Sequence, residues 1–477
     1  MRKQRKITVL ENVLVLDYAA EGKSLARVDG KVIFIEGAVP GDTVDIQLSK
    51  NKSDWAEGHV VKIHTHSPDR VPAFCEHFGV CGGCQWQMLP YEKQLFYKHK
   101  QVTDNLQRIG KIALPEIAPI LGADKTRQYR NKLEYTFSPK KFIPTEEFRK
   151  MKEAGISLSD QPGAGGFHVR GFFDKVVEID ICHLQEEPTN LIRKAVAKFA
   201  VDHQLPFYNV KSHQGWLRNM FVRNTSTGEL MINVVLGYES EESRKQLLDE
   251  LLADFPAITT LLYTINTKKN DSLHDLNPIV YAGKGYITEK LEDFSFKISP
   301  KSFFQTNTRQ AEKLYQVTRD FAELNGTQIV YDLYCGTGSI GIFVSKLAKK
   351  VIGVEVIAEA IADADENAAL NQINHASFFA GDVVDICDDK FFEQHGRPDV
   401  IITDPPRAGM HEKLVKKLLD IAAPVVVYVS CNPATQARDL ALLDEKYRVE
   451  KIQPVDMFPH TLHIENVVQL KLKSDLA

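Results

Sequence analysis

The feature that most constrains the fold is an alternation of apolar strands with helical segments in the last third of the chain. Five short apolar runs can each form a buried strand: 328–333, 350–356, 377–379, 399–403 and 424–430. Two more predicted strands, 447–454 and 465–472, are expected to form an edge hairpin. Strands that alternate with helices favour a doubly wound, Rossmann-like α/β fold, which binds ligands at the carboxyl ends of its parallel strands.

A glycine-rich turn after the first of these strands indicates a nucleotide-type ligand. The turn contains Gly336 and Gly338, and the next strand ends at Glu355, where a carboxylate can accept hydrogen bonds from ribose hydroxyls. This spacing is compatible with NAD. Carboxylates at the strand ends, however, suit a ligand that carries a sulfonium and an ammonium group better than a pyrophosphate. We therefore favour S-adenosylmethionine, and the carboxylates concerned are those of Asp332, Glu355, Asp382 and Asp404.

A cysteine and a glutamate near the same sheet edge are the candidates for chemistry. Cys431 follows the apolar run 425–427 in the sequence Ser-Cys-Asn-Pro, which places its thiol at the mouth of a loop. Glu465 directly precedes the last strand, and partial desolvation there would raise the pKa of its carboxyl towards neutrality. Cys335 lies inside the glycine turn and is expected to pack in the core.

Five motifs in this order resemble those of the RNA (uracil-5-)-methyltransferases. They span 302–307, 332–338, 404–407, 430–433 and 463–465. The resemblance implies that Cys431 adds to carbon 6 of uracil and that Glu465 removes the hydrogen from carbon 5. The target carbon is inaccessible in a stacked helix, so this chemistry predicts a flipped-out nucleotide in a single-stranded or loop region. The positions to which the resemblance assigns donor binding are Gln305, Tyr334, Glu355 and Asp404.

Residues 6–63 have the pattern of a small five-stranded barrel of OB-like size. Strands are predicted at about 7–16, 24–28, 31–36, 43–49 and 55–63, with turns at 21–22, 29–30 and 40–42. These turns resemble those of the TRAM domain, an RNA-binding appendage of RNA-modifying enzymes. Basic and acidic residues are nearly balanced over 1–63, so a barrel used only for packing or protein contact is the alternative.

Four further cysteines form a candidate metal site. Cys75, Cys81 and Cys84 have the spacing C-x5-C-x2-C, and Cys182 follows at a distance. Four thiolates can hold either zinc or an iron–sulfur cluster, and the spacing alone does not decide between them. The family resemblance favours a [4Fe-4S] cluster with a structural role, since the motif is similar to that of the ribosomal-RNA members.

Charge places the expected RNA contacts in the middle of the chain. The 477 residues have a net charge of -4, whereas residues 91–150 contain 13 Lys and Arg against 7 Asp and Glu, interspersed with aromatic residues. Such interleaving suits phosphate contact together with base stacking. The segment 138–165 is longer than is usual in the family.

We predict three domains: a TRAM-like barrel at 1–64, a mixed α+β RNA-binding domain with the four-cysteine site at 65–300, and a methyltransferase domain at 301–477. No apolar run is long enough to span a membrane, and the seven cysteines are sparse. We therefore expect a cytoplasmic protein with neither membrane nor DNA as a partner.

The predicted function is S-adenosylmethionine-dependent methylation of a uridine in 23S rRNA, favoured because the barrel and the cluster motif occur together. A tRNA methyltransferase is the runner-up. A non-catalytic RNA-binding assembly factor and an NAD-dependent oxidoreductase are the alternatives from other classes.

Overall fold

The N-terminal strands close into a barrel. The computed structural model describes residues 8–19, 22–157 and 163–473, so Glu21 of the predicted turn 21–22 lies outside the described residues. The described strands are β1 (Val9–Leu14), β2 (Asp17–Tyr18), β3 (Ser24–Val28), β4 (Lys31–Glu36), β5 (Thr43–Asn51) and β6 (Trp55–Thr65). Their order is β1-β5-β6-β4-β3-β2, and the short link between β1 and β2 joins the two edges of the sheet.

Of the first predicted strand, 7–16, the described residues 8–16 contain β1, and β2 follows at 17–18 as a separate short strand. The backbone N–H of Val15 donates to the carbonyl of Asp42, next to β5, whereas that of Leu16 donates to Leu25 of β3. The chain thus changes its pairing partner between adjacent residues, and this change closes the barrel. An alternating pattern predicts extended backbone but not the neighbour with which the strand pairs.

A helix after the cysteine loop ties the middle of the chain to its C-terminal part. It comprises α1 (Tyr91–Asn105) and a π-helical turn (Leu106–Gly110), in agreement with the helical spacing of 91–109. Val102 and Leu106 pack in a core shared with the C-terminal sheet. On the same helix, Nζ of Lys98 donates to Oδ1 of Asp456 at 2.6 Å, with both side chains fully buried.

A mixed sheet forms the central part. Its elements are β7 (Lys132–Ser138), α2 (Thr145–Glu153), β8 (Ala164–His168), β9 (Val176–Glu178), α3 (Thr189–Asp202), β10 (Leu217–Asn224), β11 (Leu230–Leu236), α4 (Glu241–Asp254), β12 (Thr260–Ile265) and β13 (Ile279–Ala282). The strand order is β13-β12-β11-β10-β7-β8-β9, and α3 and α4 share its core. Of the long segment 138–165, residues 158–162 lie outside the described part.

A hairpin, β14 (Ile287–Leu291) and β15 (Phe294–Ile298), leads into the C-terminal part. Its apolar side chains pack in the same core as the helices that follow it. The boundary at 300 stays a prediction.

The C-terminal part is a doubly wound sheet with helices on both faces, as predicted. Its elements are α5 (Thr308–Ala322), β16 (Ile329–Leu333), α6 (Ser339–Val344), β17 (Lys350–Glu355), α7 (Ala358–Leu370), β18 (Ala376–Ala380), α8 (Val383–Ile386), α9 (Asp389–His395), β19 (Val400–Thr403), α10 (Glu412–Ile421), β20 (Val425–Ser430), α11 (Pro433–Leu443), β21 (Tyr447–Val455) and β22 (Glu465–Leu472). The order is β18-β17-β16-β19-β20-β22-β21. β16–β20 are parallel, while β22 is antiparallel to β20 and β21 and completes the expected edge hairpin.

Two apolar layers cover this sheet. The helices α5, α6 and α7 contribute to one layer, and α10 and α11 contribute to the other. Cys335 and Cys387 are buried within these layers, so Cys335 packs in the core as expected. No helix in the described part of the chain is both long and apolar enough to cross a membrane.

Candidate active site

The predicted site residues of the last domain gather at one edge of the sheet. Asp404 follows β19 and Cys431 follows β20, both at carboxyl ends of parallel strands. β22 runs in the opposite direction and begins at this edge, where Asn466 lies opposite Ser430. Its first residue, Glu465, therefore lies beside the ends of the parallel strands.

The turn after β16 has the backbone of a close-approach loop. Gly336 and Gly338 have φ angles of 53° and 76°, and Tyr334 also has a positive φ, of 62°. A Cβ on Gly336 would meet no atom within 4 Å, so this turn is open on one side. Glu355 contacts this turn with one carboxylate oxygen: Oε2 accepts from the Gly336 N–H at 3.3 Å, whereas Oε1 accepts from the Ile357 N–H, just after β17, at 3.0 Å.

Asp332 is the buried acid behind this turn. Its Oδ2 accepts from the Gly341 N–H at 2.8 Å, while Oδ1 is buried with no hydrogen-bond partner. Burial, with smaller contributions from Asp404 and Glu355, raises the pKa of the Asp332 carboxyl to about 7. A buried acceptor without a donor is unfavourable and is stabilised when a ligand brings a cationic or N–H group. The acidic side chains at this turn thus fit the ammonium and sulfonium groups of S-adenosylmethionine.

The loop that carries Gln305 is held by the central sheet. Nδ2 of Asn131 donates to the carbonyl of Gln305 at 2.9 Å, and the buried Arg223 donates from Nη2 to the carbonyl of Ser302 at 2.5 Å. On its other side, the loop contacts the glycine turn, since the Thr337 hydroxyl donates to the carbonyl of Phe303. Sequence analysis missed Asn131 and Arg223, because no local motif marks a contact made between distant parts of the chain.

Asp382 has a clear local role. Its Oδ1 accepts from the Val384 N–H at 2.8 Å and caps the short helix α8, and its side chain is exposed. Burial, followed by Asp382 and Glu355, raises the pKa of the Tyr334 hydroxyl. The structure therefore brings Tyr334, Glu355 and Asp382 close to one another beside the glycine turn.

Cys431 lies in a negatively charged environment. Burial is the largest cause that raises the pKa of its thiol to about 11, and the carboxylates of Glu465 and Asp404 also raise it. Burial and Asp404 raise the pKa of Glu465 well above its usual value, and burial raises that of Asp404 to about 7. Arg407 opposes the effect on both Cys431 and Glu465.

The thiol opens onto a cavity of about 620 Å³ that all three parts of the chain line. Lys23 comes from the barrel, Gln85 from the cysteine loop and Arg170 from the central sheet. On the methyltransferase side, Nη2 of Arg407 contacts Nδ1 of His463 at 2.8 Å. Burial, with Arg407 next, lowers the pKa of His463 to about 4, so its ring is neutral and Nδ1 accepts this hydrogen bond.

The polar residues after Cys431 hold the motif in place. Asn432 accepts the Ala434 N–H at 3.1 Å as the cap of α11, and its Nδ2 donates to the carbonyl of Arg407 at 3.1 Å. One side chain thus joins the loop after β20 to the loop after β19.

The four cysteines of the predicted metal site line a second cavity, of about 360 Å³, which lies apart from Cys431. Burial raises the pKa of all four thiols, that of Cys81 to about 11 and that of Cys182 to about 12, and neighbouring thiols contribute for Cys81, Cys84 and Cys182. Within residues 8–19, 22–157 and 163–473, no three His, Cys, Asp or Glu side chains are grouped so that they could hold a metal ion. The structure thus brings the cysteines to one cavity but does not show a metal site.

Comparison with known proteins identifies the family. The tRNA (uracil-5-)-methyltransferase family model matches residues 277–473, and the TRAM domain model matches 9–61. An RNA methyltransferase of Bacteroides thetaiotaomicron is 53% identical over 458 residues, which are 95% of this chain and 100% of the relative. The chain belongs to the RNA (uracil-5-)-methyltransferase family. An RNA methyltransferase of Porphyromonas gingivalis is 49% identical over 96% of this chain and 98% of its own.

A solved structure of this family has the same architecture. The tRNA (uracil-54, C5)-methyltransferase of Pyrococcus abyssi, in complex with S-adenosyl-L-homocysteine, matches with a TM-score of 0.72 and 28% identity over 96% of this chain and 100% of its own. The predicted family, the fold class and the assignment as a S-adenosylmethionine-dependent RNA methyltransferase are confirmed. The roles of the individual site residues stay predictions.

Proposed function

We propose that this enzyme methylates carbon 5 of a uridine through a covalent bond between Cys431 and carbon 6. The observation that carries the proposal is the meeting of Cys431, Glu465 and Asp404 at one sheet edge, where the thiol opens onto a cavity of about 620 Å³. Addition of the thiolate to carbon 6 makes carbon 5 nucleophilic. Bound S-adenosylmethionine supplies the electrophilic methyl group.

Glu465 is the proposed base. After methyl transfer, carbon 5 still carries its hydrogen, and the carboxylate of Glu465 takes this proton so that the electron pair returns to the ring and expels the Cys431 thiolate. The raised pKa of Glu465, caused by burial and Asp404, makes it a stronger base than an exposed glutamate. Asp404 is proposed to lie between the bound methyl donor and the target uridine. It interacts electrostatically both with Glu465 and with Asp332, which lies at the proposed donor site.

The donor is proposed to bind between the glycine turn and the Gln305 loop. Glu355 would accept hydrogen bonds from the ribose, and Asp332 would face the ammonium group with its unpaired Oδ1. Tyr334 and Asp382, which lie close to each other near Glu355, would contact the rest of the nucleoside.

Two variants test the mechanism. Cys431→Ala should abolish methyl transfer to RNA while S-adenosylmethionine still binds, as measured by calorimetry. Glu465→Gln should slow release and leave a protein–RNA adduct on denaturing gels. Cys387→Ala, a buried cysteine that does not interact with this cluster, is the matched control. Turnover by Cys431→Ala would contradict the role of Cys431 as nucleophile. Full activity of Glu465→Gln without a trapped adduct would contradict the role of Glu465 as base.

The proposed substrate is 23S rRNA in the cytoplasm. The combination of the TRAM barrel with four cysteines around one cavity supports it. Transfer RNA is the second candidate, because the similar Pyrococcus abyssi enzyme is a tRNA (uracil-54, C5)-methyltransferase. Mapping of 5-methyluridine in rRNA and tRNA of a deletion strain distinguishes them, since only the true substrate loses the modification.

We also propose that Cys75, Cys81, Cys84 and Cys182 hold a [4Fe-4S] cluster with a structural role. The support is that all four thiols line one cavity, large enough for a polyatomic group. Anaerobic purification should give a brown protein with about four irons and absorption at about 400 nm. Cys182→Ser should lose the colour, whereas Cys387→Ser should keep it. A colourless zinc protein would contradict the cluster and leave the methyltransferase mechanism intact.

A further inference from the structure

The turn between β8 and β9 exposes two adjacent phenylalanines. It spans 169–175 and is closed by a hydrogen bond from the Val169 N–H to the Lys175 carbonyl at 3.1 Å. Phe172 is 46% exposed and Phe173 is 69% exposed. Two large aromatic rings on a tight turn are unfavourable in water, so their position calls for a binding partner.

Cations surround these two rings. Nζ of Lys175 lies 5.1 Å from the centroid of Phe172, and Nζ of Lys211 lies 5.4 Å from that of Phe173. Asp174 forms ion pairs with Lys140 and Lys211. Three lysines against one carboxylate leave the turn positively charged, which suits a polyanion.

The turn is continuous with the cavity at Cys431. Phe172, Phe173 and Arg170 line an open cavity of about 610 Å³, together with Gly82 and Gly83 of the cysteine loop. Arg170 also lines the cavity of about 620 Å³ onto which Cys431 opens. The two cavities share this arginine. An RNA strand whose uridine enters the cavity at Cys431 can therefore continue into the cavity lined by the two phenylalanines.

We propose that the turn 169–175 is a binding subsite for an unpaired nucleotide of the RNA substrate, next to the flipped target uridine. The base of this nucleotide stacks on Phe173, and its phosphate lies between Arg170 and the lysines. Aromatic rings bind bases of any identity by stacking, whereas cations bind the backbone. A protein partner would require a larger apolar area than two rings among lysines provide. This inference rests on the proposed function, since it takes Cys431 as the place where the uridine binds.

The subsite is tested with Phe173→Ala on deproteinised total RNA from a deletion strain. Loss of one stacking interaction should raise the KM for RNA about 5- to 150-fold, with little change in kcat at saturating RNA. The affinity for S-adenosylmethionine should not change. Phe173→Tyr keeps a stacking ring and should restore the KM. Tyr238→Ala, an exposed aromatic residue that lines neither cavity, is the matched control and should behave as the unaltered enzyme.

A second measurement locates the contact. In the adduct trapped with Glu465→Gln, ultraviolet cross-linking should join the peptide around Phe173 to a nucleotide close to the modified uridine. An unchanged KM for Phe173→Ala, or cross-links only to distant nucleotides, would overturn the subsite while methylation through Cys431 persists. An effect of Phe173→Ala on intact ribosomal particles but not on deproteinised RNA would also overturn it, since it would indicate a protein partner. Absence of any methylation by the unaltered enzyme would instead reject the proposed function.

Discussion

At the scale of single residues, the site presents a conflict of charges. In the proposed mechanism the Cys431 thiol must lose a proton, yet burial and the carboxylates of Glu465 and Asp404 raise its pKa to about 11. At neutral pH the free enzyme therefore keeps this thiol protonated and unreactive. A positive charge brought by the donor would lower the thiol pKa, because opposite charges attract strongly in a partly buried site.

Alkylation of Cys431 by iodoacetamide should report this coupling. In the free enzyme the rate should rise about tenfold per pH unit from neutral pH to pH of about 10, because only the thiolate reacts. Saturation with S-adenosylmethionine should speed the reaction at pH 8. S-adenosylhomocysteine, which lacks the sulfonium charge, is the matched control and should not. Modification is measured at residue 431 by mass spectrometry, and equal rates with both ligands would contradict the coupling.

Asp332→Asn should stabilise the free enzyme at alkaline pH. Burial raises the pKa of Asp332 to about 7, above the value of about 3.9 in the unfolded chain. The folded state therefore binds the extra proton between these values, and stability falls as the pH rises from about 4 to 7. The uncharged amide avoids this loss, so the gain in unfolding free energy, up to about 4 kcal/mol, should appear at pH 8 and vanish at pH 4. Urea titrations at both pH values measure it, and the variant should bind S-adenosylmethionine more weakly.

At the scale of elements, the sequence predicts where the strands end. It does not predict which side chains hold the loops that follow or precede them. Apolar runs followed by Asp404 or Cys431 mark where a strand ends, and parallel strands end at one edge, so these residues were expected to meet. Arg223 and Asn131 carry no such signal, because they act on the Gln305 loop from β10 and from the residue before β7, both in the central part of the chain. Their contacts depend on how distant parts of the chain pack together, which no local pattern encodes.

Asn131→Ala tests the importance of this contact between domains. The change removes two hydrogen bonds, to the carbonyl of Gln305 and to the hydroxyl of Thr308, both at 2.9 Å. We expect the Kd for S-adenosylmethionine to rise about 5- to 30-fold, since a hydrogen bond contributes about 1 kcal/mol and two are lost. Asn374→Ala, at an exposed position, is the control. An unchanged Kd measured by calorimetry would show that the loop keeps its position without this contact.

At the scale of the whole molecule, the barrel and α1 both contact the loop that precedes β22. Lys98 of α1 pairs with Asp456, which also accepts from the hydroxyl of Tyr91 at 2.8 Å. At the barrel, a Cβ on Gly22 would lie 2.0 Å from a methyl group of Leu462. The barrel tip and α1 therefore pack against the same loop, which leads to Glu465.

Lys98→Met should destabilise the protein strongly. It leaves Asp456 buried without its cation, and breaking one half of a buried ion pair lowers the unfolding free energy by about 3–5 kcal/mol. The double variant Lys98→Met/Asp456→Leu should be more stable than Lys98→Met, since no unpaired charge remains. Urea denaturation measures both, and a double variant less stable than the single one would contradict this account.

The cavity at Cys431 is lined by residues that are far apart in the sequence, which determines when during synthesis it can form. Lys23 and Arg170 leave the ribosome early in translation, but His463 and the strand β22 emerge near the end. A nascent chain that ends before His463 therefore lacks one wall of this cavity. The cavity at Cys431 is therefore complete only after the loop before β22 has been synthesised.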